Sequence, residues 1–355
     1  MKLFVCQSCQ QLLYFENSQC VRCGHELGFL PEITWLSALE PAGGESWTAL
    51  AAPGRSWRRC ANAVHGSCNW MVPADADTPF CVACRHNRTI PDLTVPENLE
   101  AWQRLEIAKH RLFYTLLKLR LPLITKAEDE ATGLAFDFMA DPVDPNAPKV
   151  MTGHDDGLIT ISLAEADDAE RERRRGELGE PYRTLLGHMR HEVGHYYWDR
   201  LVRDAGRLDA CRAVFGDESQ DYGEALQRHY AQGAPPDWQN HFVSSYATAH
   251  PWEDFAETWA HYLHIVDTLE TAKAFQISVN PEVVPGDELA AEVDFNVYKA
   301  KSIEPIIEAW LPLSYAVNSL NRSMGLPDLY PFVLSAEVIK KLGYMHDLLR
   351  EAGGR

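Results

Sequence analysis

His191-Glu192-Val193-Gly194-His195 places two imidazoles four residues apart with a carboxylate beside the first. On a helix that spacing puts both rings on one face, where they can offer two nitrogens to a single zinc ion. Glu192 then stands where a general base could take a proton from water. The plainer reading is a pair of helix-surface histidines next to a solvated glutamate. The surrounding residues favour the chemical one. Leu185, Met189, Val193, Tyr196 or Tyr197, and Leu201 recur at helical spacing, so the segment from Tyr182 to Leu201 is expected to be a helix, with Pro181 at its start. Gly194 is a poor helix former between the two rings, and its cost is explained if the position needs room.

A catalytic zinc takes three protein ligands and keeps one position open. The third is sought in a second helix, His250-Pro-Trp-Glu-Asp-Phe-Ala-Glu-Thr-Trp-Ala-His-Tyr-Leu-His264. Pro251 suits its first turn. Glu253 and Glu257 share a face, which His261 continues. Glu253 is assigned as the third ligand and Glu257 as the group that accepts a hydrogen bond from a liganding imidazole and fixes its tautomer. An acidic first turn favoured by the helix dipole is the alternative. With three such ligands, Glu192 can shuttle a proton from water to a leaving amine. His261 or His264 can stabilise the oxyanion.

HEVGH followed by EDFAE resembles the gluzincin pattern of HExxH and a later glutamate with an acidic residue four positions on. The resemblance implies a role for Tyr246, which lies seven residues before Glu253, the offset at which some gluzincins carry a tyrosine that stabilises the tetrahedral intermediate. The strings GEPYRTLLGHMRHEVGHYYWDRL and HPWEDFAETWAHYLH are similar to a bacterial family of zinc-binding metallopeptidases with an N-terminal zinc ribbon, and the likeness covers nearly the whole chain. It implies a zincin-like peptidase acting on peptides or proteins. The interval from His195 to Glu253 is longer than in thermolysin-like enzymes.

Eight of the nine cysteines precede residue 85. Cys6-x2-Cys9 and Cys20-x2-Cys23 are two knuckles that together close a tetrahedron of thiolates, the signature of a structural zinc. Gly24 permits the tight turn behind the second knuckle. Cys60, Cys68, Cys81 and Cys84 form a second set in which only Cys81-x2-Cys84 is regular, so His65 or His86 could replace one thiolate. Disulfides are the alternative for both sets, but they need an oxidising compartment. The opening residues MKLFVCQSCQQ lack the apolar core of a secretion signal, which points to the cytoplasm. Cys211 stands alone and reads as packing. Zinc is thus expected three times, once for catalysis and twice for structure.

The 355 residues carry a net charge of −18. That acidity disfavours a surface that tracks nucleic-acid phosphates, although Arg55, Arg58, Arg59, Arg85 and Arg88 could form a local basic patch. No apolar run is long enough to span a membrane. Two non-enzymatic readings follow. The ribbon could dock a protein partner while the histidine site, closed by a fourth ligand such as His250 or His261, merely staples helices. The ribbon could instead bind nucleic acid beside an inactive hydrolase domain.

The expected class is α+β, helix-dominated, with a zinc-ribbon region over 1–92 and a zincin-like domain with a small sheet over 97–355. Pro91 and Pro96 mark the linker. A helix is expected over 97–120 with Leu99, Trp102, Leu105, Leu112, Leu116 and Leu119 as its apolar stripe, ended by Pro122. Strands are expected at Leu134–Met139 and Gly157–Leu163. The second is either a sheet-edge strand that pairs with extended substrate or an interior strand. Residues 204–232 read as polar helix, and two long helices close the chain. The first begins near Ser302 with Pro312 as a kink, and the second is capped by Ser335.

Overall fold

The computed structural model describes residues 3–142, 144, 146–178, 184–282 and 289–354. The chain divides into two compact units, Met1–Arg171 and Glu172–Arg355.

In the first unit, β1 (Phe4–Val5) and β2 (Leu12–Leu13) form a short hairpin. An antiparallel sheet follows, with β3 (Glu26–Leu30), β4 (Trp35–Gly43), β5 (Ser46–Ala49), β6 (Ala52–Arg59) and β7 (Met71–Pro73) in sequential order. A bridge between Phe29 and Trp70 joins its first strand to the start of its last, so the sheet curls back on itself. Leu30, Leu39, Ala49, Trp57 and Met71 fill the interior. The strand β8 (Asn87–Thr89) leads to α1 (Pro96–Leu119), in which Pro96 sits in the first turn and Arg120 adopts a left-handed conformation to end the helix. Trp102, Leu105, Leu112, Leu116 and Leu119 of the expected stripe are buried. Phe15 and Phe29 lie within 5.4 and 6.0 Å of Tyr114, so aromatic packing ties hairpin, sheet and helix into one core.

A second sheet has the order β10-β11-β9-β8, where β9 is Ala135–Met139, β10 Gly153–Asp155 and β11 Leu158–Ser162. Both expected strands are present. However, β11 pairs with β9 on one side and with β10 on the other. It is an interior strand, and the reading of Gly157–Leu163 as an open edge for substrate is wrong. Its hydrogen-bonding groups are already used by the chain itself.

The boundary between units falls within α2 (Asp168–Leu178). The second unit takes the end of α2 and continues with α3 (Leu185–Trp198), which runs into one turn of π-helix at Asp199–Arg203. Pro181 and Tyr182, expected at its start, lie outside the described residues. The observed cap is Thr184, whose side chain accepts from Gly187 N at 3.0 Å. The polar stretch forms α4 (Leu208–Phe215) and α5 (Tyr222–Gln232). Next come α6 (Pro251–Ala274), a strand pair β12 (Ser278–Val279) and β13 (Ala291–Glu292), α7 (Glu304–Ser323) with Pro312 inside it, and α8 (Ala336–Ala352) capped by Ser335.

Helices α3 and α6 pack against each other, and Gly194 shows why. A Cβ there would stand 3.1 Å from Ala256 Cα and 3.2 Å from the Trp259 ring. The small residue lets the two backbones approach, which the zinc reading requires. Polar locks reinforce the packing. Arg190 of α3 pairs with Asp267 of α6. Lys341 of α8 pairs with Asp254 of α6 at 2.6 Å, both side chains being buried. Among the described residues no helix is long and apolar enough to cross a membrane.

Candidate metal centres

The α3–α6 pairing brings His191, His195 and Glu253 together, with one donor atom from each lying within 4.8 Å of the others. The two imidazole Nε2 atoms are 3.1 Å apart. Glu253 Oε2 is 2.9 Å from that of His191 and 3.5 Å from that of His195. Zinc bonded tetrahedrally to nitrogen and oxygen at about 2.0–2.1 Å spaces its donors by about 3.3 Å, so the three atoms fit a single ion. Glu253 is 1 % exposed. Burial opposes its charge, but the two histidines prevail and hold it well below the usual carboxylate range. The three groups could hold a metal ion.

Glu257, one turn on, does not join the donor set. Its Oε1 accepts from His191 Nδ1 at 2.7 Å, which directs Nε2 of the same ring at Glu253. Its Oε2 accepts from Ser244 Oγ at 2.5 Å. Burial raises the Glu257 carboxyl, but the hydrogen bond from His191 outweighs it and brings it down to about 2. Neither residue suggested as a fourth ligand is in the set. His250 accepts from Trp252 N at 3.1 Å and directs Nε2 to Gln220 O at 3.2 Å, so both its nitrogens are engaged. His261 places Nδ1 2.7 Å from Tyr330 Oη, and burial lowers it to about 4.

Two phenols face this centre. The Tyr246 ring lies 5.9 Å from the His191 ring. Tyr222 donates to Glu253 Oε1 at 2.5 Å. Burial, followed by the charge of Glu253, drives both phenols up, and Glu192 adds to the effect, which puts its carboxylate within electrostatic reach of both. Tyr222 and Ser244 had no signal in the sequence, because each belongs to a polar stretch with no periodic tie to the motif helices.

In the first unit, each cysteine set is a cluster. The gaps are 3.7 Å for Cys6–Cys23, 3.6 Å for Cys9–Cys20 and 3.8 Å for Cys68–Cys81. These are far beyond a disulfide length of about 2.05 Å. They match the edge of a tetrahedron of Zn–S bonds, about 3.7–3.8 Å. Gly24 has φ of +75°, as the turn behind Cys23 needs. In the second set all four thiols converge, so neither histidine proposed as a substitute is needed. His65 packs on Trp102, and His86 turns Nδ1 to Val82 O at 2.8 Å. The histidine beside the cluster is His110 of α1, with Nε2 3.7 Å from Cys84 Sγ and 4.0 Å from Cys81 Sγ. Burial disfavours its charge, but Cys84 prevails and raises it. Next to it Glu106 and Lys109 form a fully buried ion pair at 2.6 Å. These polar residues sit within the apolar stripe of α1, where spacing gave no reason to look. Cys211 is buried apart from both cysteine sets and pushed up to about 11, mainly by burial.

A cleft of about 750 Å³ opens beside the second cysteine set, between Trp47, Arg59 and Ile107. The five arginines of the expected basic patch are committed internally. Arg55 pairs with Glu32, Arg59 with Glu26 and Arg88 with Asp137, while Arg58 and Arg85 bind the carbonyls of Thr78 and Leu123. No free cationic stripe remains among them for phosphates to follow.

A histidine pair and a distant glutamate on paired helices, with a thiolate-bearing ribbon ahead of them, define a zinc protein of the metallopeptidase type. Residues 98–348 match the family described as "Putative zinc-binding metallo-peptidase", and residues 3–95 match a zinc-ribbon domain. The chain belongs to that metallopeptidase family. It is 42% identical over 352 residues to uncharacterized proteins of Mycobacterium bovis and Mycobacterium tuberculosis, covering 99% of this chain and 96% of theirs. No solved structure matches it.

Proposed function

We propose that this protein hydrolyses peptide bonds, with His191, His195 and Glu253 holding one zinc ion and Glu192 transferring protons. The observation that carries the reading is the donor set itself. It has three protein members among the described residues, and three is the number that leaves a position for water, whereas a structural zinc is closed by four. Zinc held there supplies a Lewis acid that polarises a carbonyl and makes water more acidic. The residues do the remainder. Glu257 fixes the tautomer of His191. Glu192 takes a proton from the attacking water as its oxygen adds to the scissile carbonyl carbon, then gives that proton to the amine as the C–N bond breaks. Tyr246 offers a hydroxyl to the carbonyl oxygen as it gains charge. Cys6, Cys9, Cys20 and Cys23 hold one structural zinc, and Cys60, Cys68, Cys81 and Cys84 a second. The ribbon, residues 1–92, stands ahead of a gluzincin-like domain over 97–355 and is the part suited to docking a protein, and the protein acts in the cytoplasm.

Glu192→Gln tests the chemistry. The side chain keeps its shape but cannot accept the proton, so hydrolysis of an unfolded protein substrate should fall by about 10²–10⁴-fold while zinc content stays unchanged. Full activity in that variant would falsify the general-base role.

A further inference from the structure

Glu253 has two oxygens, and they face different partners. Oε2 points to the histidines, 2.9 Å from His191 and 3.5 Å from His195. Oε1 is taken by Tyr222 Oη at 2.5 Å. At 1 % exposure the carboxylate has little water with which to replace that donor. A carboxylate on zinc can bind through one oxygen or through both, and a strong donor on one oxygen suppresses the second mode.

The phenol is aimed by its own surroundings. Asp221 caps α5 by accepting from Glu224 N at 2.8 Å, which sets the first turn where Tyr222 sits. The Tyr222 ring packs edge-on against His250 at 5.3 Å and Trp252 at 5.6 Å. Trp252 in turn lies on the His195 ring at 3.8 Å. Gln220 O meets His250 Nε2, so the start of α5 is tied to the start of α6 beside the ligand. Tyr222 remains 37% exposed, at the rim of the centre.

We propose that Tyr222 is a positioning residue that holds Glu253 as a one-oxygen ligand and thereby keeps a coordination position free for water and substrate. This rests on the assignment of His191, His195 and Glu253 as ligands.

The test uses the full chain, from which mild chelation removes the ion at the histidine site while the thiolate sites keep their zinc. Two quantities are read in wild type, Tyr222→Phe and Glu253→Ala. One is zinc affinity by competition with a chromophoric chelator. The other is the visible spectrum after cobalt(II) is restored to the emptied site. Tyr222→Phe should bind zinc about 10–100-fold more weakly, and its cobalt bands should weaken as the carboxylate shifts to two-oxygen binding. An unchanged spectrum together with affinity within twofold of wild type overturns the role of Tyr222. If Glu253→Ala loses the ion while Tyr222→Phe matches wild type, only the tyrosine proposal fails. If Glu253→Ala also keeps wild-type affinity, the ligand assignment fails with it.

Discussion

The two units organise metal donors in opposite ways. In the first, eight sulfurs stand in two sets of four, joined by turns and short strands. Each set has four members, and a tetrahedron closed by four thiolates has nothing left to offer a substrate. In the second, three donors come from two helices, and the described groups around them include the Glu257 carboxylate, the Tyr222 and Tyr246 phenols and the Ser244 hydroxyl. The difference shows what each unit must spend to build a site. Metal held by thiolate sets adds to the folding free energy of the unit that carries them. The donors of the histidine site stand on a packed helix pair, with Gly194 against Ala256 and a buried Asp254–Lys341 pair beside it.

The sharpest way to break this contrast is Cys81→Ser. Its thiol lies 3.8 Å from Cys68 within the second set. Structural zinc contributes on the order of 10 kcal/mol to small modules, so hydrogen exchange in the full chain should show residues 26–73 losing protection while α3 and α6 keep theirs. Equal protection in both units would mean that the thiolate sets are not what holds the first one.

The corresponding break in the second unit is Lys341→Met. It strands Asp254, which burial already pushes up to about 7 against the pull of Lys341. Leaving one member of a buried pair uncompensated costs about 3–5 kcal/mol, so urea unfolding monitored in α6 should shift accordingly with zinc content unchanged. A shift under 1 kcal/mol, roughly the value of an exposed pair, would show that the pair is not a lock.

The smallest effect is a pH dependence. His261 is held at about 4, below its ordinary 6.5, because burial penalises its charged form. The unfolded chain therefore binds this proton first as pH falls. The contribution to stability is complete above 6.5 and is lost progressively on the way down to about 4. Measured in chelator, so that metal release plays no part, loss of this contribution should pull the unfolding midpoint of the second unit down between pH 7.5 and 5, against the opposing gain from Asp254, whose raised carboxyl is protonated first in the folded state. In His261→Gln it should fall less, and an identical fall in both would remove His261 as the cause.

Much of this was legible in the chain. The i, i+4 histidines, the knuckle spacing and the stripe of α1 are periodic signals, and periodicity survives without knowledge of tertiary contacts. That Glu253 and Glu257 share a face follows from helix geometry, which places them one turn apart, and the fold puts Glu253 in the donor set and Glu257 against His191 Nδ1. The rest depended on long-range pairing. Tyr222 reaches Glu253 from a different helix, Ser244 reaches Glu257 from a loop, and His110 reaches Cys84 from a helix whose spacing advertised only packing. The place of β11 inside its sheet was equally hidden, since a run of β-formers states that a strand exists and not which neighbours it takes.

Counting zinc by native mass spectrometry puts the central claim to its most direct test. Wild type should carry one ion for each cysteine set and one for His191, His195 and Glu253. Glu253→Ala should lose a single ion, and Glu257→Ala should retain all of them at saturating zinc. The account is contradicted if wild type holds metal in the cysteine sets alone, or if Glu257→Ala rather than Glu253→Ala is the variant that comes up one ion short.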